Sequence, residues 1–169
     1  SFYRKGDEYW VKTDNENGEL QDYRVAYVFG IYPLQQLLLP ITKGQLNALS
    51  IAWDARNASK GGQRWYHIYE DQEPVTAESP LHWTGIYHNW NSRCAECHST
   101  NVVKGYDGAR RQYTTTYDQI DVGCEACHGP GSRHVELANA GTIDRSQSLA
   151  EMGLALSLAA RGQWRRAPG

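Results

Sequence analysis

Cys94-Ala95-Glu96-Cys97-His98 and Cys124-Glu125-Ala126-Cys127-His128 are two copies of one pattern, Cys-x-x-Cys-His, and together they use all four cysteines of the chain. The pattern is the attachment site of a c-type haem. Two thiols three positions apart on one helical turn can each add across a porphyrin vinyl group to form a thioether. The His that follows then lies under the iron as its proximal ligand. The sequence therefore points to two covalent haem c groups held by Cys94, Cys97 and His98 and by Cys124, Cys127 and His128.

Three other chemistries use paired cysteines. Two Cys-x-x-Cys pairs can build a four-cysteine zinc site, and a single pair can be a thioredoxin-like redox motif. Neither needs a His directly after both pairs. The second pair runs into Gly129-Pro130-Gly131 without the strand–helix context of a redox motif. Disulfides within each pair would close very small rings.

Outward from the motifs the character of the chain changes. Residues 1–70 read as β-rich: Tyr9-Trp10-Val11-Lys12-Thr13 is a strand, residues 14–18 carry turn chemistry, and residues 23–29 alternate Tyr and Val as the return strand. Residues 46–53 and 64–69 read as two more strands about the loop 57–62, and residues 71–90 as irregular. From residue 91 short helices carry the motifs, capped by Asn91 or Ser92 and by Asp121. A helix restarts at Ser132, and a last one opens with the capping box Ser148-x-x-Glu151, with Leu149, Met152, Leu156 and Ala159 on one face and Gly162 as the stop. The expected fold class is α+β. A small antiparallel β-rich part (1–78) precedes a mostly helical and irregular two-haem part (79–169) with a C-terminal helix, and the two are expected to form one continuous unit.

Composition bounds the partners. Leu, Ile, Val and Phe number 30 of 169 residues, close to the level of disordered chains, yet net charge is only −2 and eleven Tyr and six Trp supply large rings. Two porphyrins would add the apolar bulk that the side chains lack. A pI of about 6.3 gives no reason to expect nucleic acid. No apolar run approaches the eighteen or so residues of a membrane span, and Leu37 to Leu39 is a short run stopped by Pro40. The chain starts at Ser1 without Met or leader, so a mature chain or a fragment is expected, from the periplasm or cell exterior where haem c is attached.

With His98 and His128 as proximal ligands, the sixth site of each iron separates electron transfer from catalysis. His134 is the leading distal candidate. Six residues past His128 reach at most about 20 Å when extended, and the helix restart shortens that, so His134 is expected to serve a neighbouring haem. Met152, the one Met, lies on the apolar stripe of the last helix and reads as core. Arg93 and Arg133, beside the motifs, are candidates to pair with haem propionates. A lone His on an aromatic strand, such as His67 beside Trp65 and Tyr66, ordinarily reads as packing, and His88 is the weakest candidate.

Several stretches resemble multihaem c-type cytochromes of a group often joined to tetratricopeptide repeats, within the tetrahaem-cytochrome and hydroxylamine-oxidoreductase-like superfamily. They are Val28-Phe29-Gly30-Ile31-Tyr32-Pro33-Leu34-Gln35-Gln36, Gly61-Gly62-Gln63-Arg64-Trp65-Tyr66-His67, Pro80-Leu81-His82-Trp83-Thr84-Gly85, Asn89-Trp90-Asn91, and Gly123-Cys124 through His134-Val135. The resemblance implies a periplasmic or extracellular electron carrier with bis-His haems. It adds His67 and His82 as ligand candidates, and it implies that the second His of His-Gly-Pro-Gly-x-x-His, His134, ligates a neighbouring haem. Such relatives carry further haem motifs before the β-rich region and after the last helix; here both are absent, so the chain resembles a central two-haem portion. The expected function is one-electron transfer among redox partner proteins, other multihaem cytochromes included. An enzyme with one open iron acting on a small nitrogen, sulfur or peroxide substrate, and a structural haem module that self-assembles into an array or filament, are the alternatives.

Overall fold

The computed structural model describes residues 1–71, 74–144 and 146–154, and packing divides the chain into two units. The first comprises Ser1–Ala95 and Lys104–Thr115, the second Glu96–Val103 and Thr116–Gly169. The division falls inside the first pentapeptide, and residues 79–95 pack with the strands that precede them.

The first unit holds three antiparallel sheets. Strands β1 (Phe2–Lys5), β2 (Glu8–Asp14) and β3 (Leu20–Arg24) form one in that order. The β2–β3 turn is built by Asn15, whose Oδ1 accepts from the backbone N–H groups of Asn17 (2.9 Å) and Glu19 (3.0 Å). The second sheet runs β4 (Tyr27–Phe29), β5 (Leu34–Pro40), β6 (Leu46–Asp54), β7 (Arg64–His67). Residues 23–29, expected as one strand, are two: Val25 and Ala26 carry the chain from a pairing with β2 to a pairing with β5. β5 went unread because Leu37, Leu38 and Leu39 do not alternate with polar residues. All three are buried, since a register shift between Gln36 and Leu38 against β6 breaks the pleat's two-residue period there. The short hairpin β8 (Tyr106–Asp107) and β9 (Gln112–Tyr113) completes the unit.

Val11, Leu37, Leu39, Leu49 and Trp83 form the core, flanked by Tyr23, Val25, Ile41 and Ile51. Trp83 lies edge-on to Tyr23 (4.8 Å between centroids) and donates its Nε1–H to the Asp14 carbonyl at 2.7 Å, so the segment before the first motif is fixed onto the strands.

Among the described residues, α1 (Trp90–Arg93) precedes the motifs, α2 (Ala95–His98) and α3 (Cys124–His128) hold them, and α4 (Ser132–Asn139) follows. The capping box expected at residue 148 is present, with Ser148 N and Oγ both donating to Glu151 Oε2 (2.8 and 2.6 Å), but it opens a turn that Gly153 closes with φ +76°. The rest of that expected helix, including Leu156, Ala159 and Gly162, lies outside the described residues. Among the described residues no helix is long and apolar enough to cross a membrane.

Candidate haem-attachment site

Asn89, not Asn91 or Ser92, caps α1: its Oδ1 accepts from Ser92 N at 3.0 Å. Asn91, 3 % exposed, is spent on tertiary bonds instead. Its Oδ1 accepts from Leu46 N (2.8 Å), and its Nδ2 donates to the Gly44 carbonyl (3.2 Å) and Thr115 Oγ1 (2.9 Å). The neighbouring Asn47 donates through Nδ2 to the carbonyls of Trp83 (2.8 Å) and Gly85 (3.1 Å). Buried Trp90 and Ala95 complete the anchor, and Cys94 ends α1 by donating its N–H to the Trp90 carbonyl. Cys97 and His98 stand exposed on α2. These asparagines are the functional residues that sequence reasoning missed; polar and aperiodic, they give no core signal.

In the second motif Gly123, not Asp121, is the cap of α3. The Asp121 carbonyl is an acceptor for Thr100 Oγ1. Glu125 Oε1 accepts from Gly131 N at 2.8 Å, closing the Gly129-Pro130-Gly131 turn so that α4 restarts at Ser132 as expected. His134, half-buried on α4, hydrogen-bonds through Nδ1 to the Met152 carbonyl at 2.8 Å, and among the described residues its Nε2 has no hydrogen-bond partner. The Gly153 backbone makes this possible by close approach: a Cβ there would sit 2.8 Å from His134 N. It is therefore the backbone of Met152 that meets His134.

The remaining candidates are engaged elsewhere. His82 is buried; its Nε2 donates to Asp14 Oδ2 (3.0 Å) and its Nδ1 accepts from Thr84 Oγ1 (2.8 Å). Burial raises the Asp14 carboxyl, but the bonds from His82 and Thr13 outweigh it and leave the group below its usual range. His67 accepts at Nδ1 from Tyr69 N (3.2 Å). Buried His88 donates from Nδ1 to the Ala48 carbonyl (2.9 Å) and accepts at Nε2 from the Tyr69 hydroxyl (3.2 Å), and burial holds its ring below the usual imidazole value. Iron ligation by His82 or His88 would require one of these bonds to break. Arg93 lies over the Tyr87 ring (5.4 Å), and Arg133 pairs with Glu136 (3.0 Å); both are exposed.

Four observations test whether this donor set fits haem c. None of the four cysteines is joined in a disulfide. His128 Nδ1 is enclosed without a hydrogen-bond partner. Among the described residues of the second unit, Ala126 is the one buried apolar side chain, whereas Ile120 and Val122 before the motif and Val135 beside His134 are exposed. Among the described residues no three His, Cys, Asp or Glu gather as a metal-holding group. The thiols, the following imidazoles and the apolar surface around them fit a covalently held porphyrin.

Paired thiols on a helical turn, each followed by His, are the pattern with which c-type cytochromes attach haem. Residues 52–129, spanning both pentapeptides, match the family model of cytochrome c554 and c-prime, which supports a c-type cytochrome that transfers electrons through covalently bound haem c. No curated protein and no solved structure matches the chain.

Proposed function

We propose that the chain is a dihaem electron carrier of the bacterial periplasm or cell exterior, allied to the tetrahaem and tetratricopeptide-associated cytochromes, with low-spin bis-His haems. His98 and His128 are the proximal ligands, and His134 is a distal ligand to a neighbouring haem. The observation that carries this reading is the hydrogen bond from His134 Nδ1 to the Met152 carbonyl. A ligating imidazole needs its second nitrogen donating to an acceptor, which fixes the tautomer, orients the ring and raises the basicity of the free nitrogen. His134 has that arrangement, with Nε2 left over among the described residues.

Bound haem c supplies a reversible one-electron iron couple; the chain supplies ligands, burial and spacing. In this reading no side chain acts as acid, base or nucleophile, and the partners are redox proteins, other multihaem cytochromes among them.

The test is the visible spectrum of the purified holoprotein, oxidised and dithionite-reduced, with its denatured intact mass, for the unaltered chain and for His134→Ala. Two covalent haem masses, a sharp reduced α band and no high-spin feature are expected, with a high-spin band arising in His134→Ala. A high-spin haem that binds cyanide or CO in the unaltered chain would favour an enzyme. Concentration-dependent assembly would favour an array.

A further inference from the structure

We infer that Ser99 and Thr100 form a hydroxyl clasp that fixes the two proximal histidines relative to each other, with Thr100 as the positioning residue. The inference rests on the dihaem reading above. Ser99 and Thr100 follow His98 directly and are 3 % and 1 % exposed. Every polar group of Thr100 is bonded to the five residues before Cys124 or their immediate neighbour. Its N–H donates to the Gln119 carbonyl and its carbonyl accepts from Asp118 N, both at 3.0 Å. Its Oγ1 donates to the Asp121 carbonyl (2.9 Å) and accepts from Gly123 N (2.8 Å). Ser99 Oγ donates to the Ile120 carbonyl at 2.8 Å. Gly123 is the cap of α3, and a Cβ there would lie 3.3 Å from Thr100 Oγ1 and would strike the Gln119 side chain. The residue after His98 and the residue before Cys124 are thus ends of one bonded strip.

Two buried hydroxyls are costly unless bonded, and both are bonded here. In a unit whose described residues bury no apolar side chain beyond Ala126, these bonds are what holds the strip in register. Apolar contacts would permit sliding, whereas paired donors and acceptors set position and orientation together. Electron exchange between two irons falls steeply with their separation, so a device that fixes His98 against α3 acts on the function through haem spacing.

The test compares Thr100→Val, which keeps the shape and removes the hydroxyl, with Thr100→Ser, which keeps the hydroxyl, as purified holoproteins. Readouts are intact mass, exchange of the Gly123 amide, the gap between the two reduction potentials in a redox titration, and spin coupling between the oxidised haems. Thr100→Val is expected to keep both haem masses, to lose Gly123 protection about tenfold or more, and to show a narrowed gap and weakened coupling; Thr100→Ser restores both. If Thr100→Val gives no holoprotein, Ser99→Ala, which removes one bond, must narrow the gap in the same direction. Two haems with an unchanged gap in Thr100→Val or, failing that, in Ser99→Ala overturn the clasp alone, as does a Thr100→Ser protein that behaves like Thr100→Val. Fewer than two haems in the unaltered chain overturns the dihaem reading and the clasp with it.

Discussion

Asn91→Leu asks whether the sheet really positions the first motif. The replacement keeps the number and branching of side-chain heavy atoms and removes three hydrogen bonds: from Leu46 N, to the Gly44 carbonyl and to Thr115 Oγ1. Thr115 Oγ1 still donates to the Lys104 carbonyl at 2.7 Å, so its loss is small. Leu46 N and the Gly44 carbonyl lose a partner each. At about 1–3 kcal/mol for each buried group left unsatisfied, reduced by the partial exposure of Leu46 and the exposure of Gly44, the cost is about 1–3 kcal/mol. With a urea dependence of roughly 2 kcal/mol per molar, the unfolding midpoint should fall by about 0.5–1.5 M. The assay is urea unfolding of the holoprotein followed by far-ultraviolet circular dichroism, with intact mass counting haems. Because α1 ends at Cys94, haem occupancy at the first pentapeptide should fall while the second stays filled. Asn91→Asp keeps the acceptor for Leu46 N and should lie between. A midpoint within about 0.3 M of the unaltered protein, with both haems retained, would refute the reasoning.

Cys124→Ser with Cys127→Ser should leave the chain one haem lighter by intact mass. Hydrogen exchange should then show protection lost across 116–154 and kept in β2, β5 and β6, since the described residues of the second unit bury no apolar side chain beyond Ala126. His88, whose ring burial holds below the usual 6.5, adds a pH dependence. As pH falls below 6.5 the unfolded chain takes up the proton first, so stability is full above that value and declines beneath it. His88→Gln should flatten this part of a midpoint-against-pH curve. The Arg56 side-chain and backbone hydrogen bonds hold the Asp54 carboxyl at about 2. Its contribution is present above the ordinary aspartate value of 3.8 and disappears as pH falls through about 2, so Asp54→Asn should lower the midpoint at neutral pH and converge with the unaltered protein near pH 2.

Much of this was legible because the haem pattern and the alternating strands are written in residue types. Residues 9–13 and 46–53 lie in β2 and β6, of residues 64–69 the first four form β7, and α4 starts at Ser132. β5 was not legible because its consecutive leucines are buried through an irregular register, which only the partner strand reveals. The caps were misplaced for a related reason: several Asn, Ser and Asp near each motif could cap, and the choice falls on Asn89 and Gly123 because Asn91 is drawn into bonds with Leu46, Gly44 and Thr115. His82 and His88 look alike as sequence, and only their partners show both committed to hydrogen bonds with strand residues, Asp14 and Ala48.

The thin apolar composition acquires a physical sense from how it is distributed. Apart from Ala126, every buried apolar side chain among the described residues belongs to the first unit, which can hold itself as an ordinary sheet domain. The second unit has apolar residues too, but Val103, Ile120, Val122, Val135 and Leu149 face outward, several of them beside the second motif or His134. Burying an apolar side chain of this size is worth roughly 1.5–3 kcal/mol, so five left exposed forgo a large share of what a small unit needs to outweigh its chain entropy. A porphyrin tethered by thioethers at the second motif would meet that need, and the backbone and hydroxyl bonds of residues 99–123 supply the register that a borrowed core cannot encode.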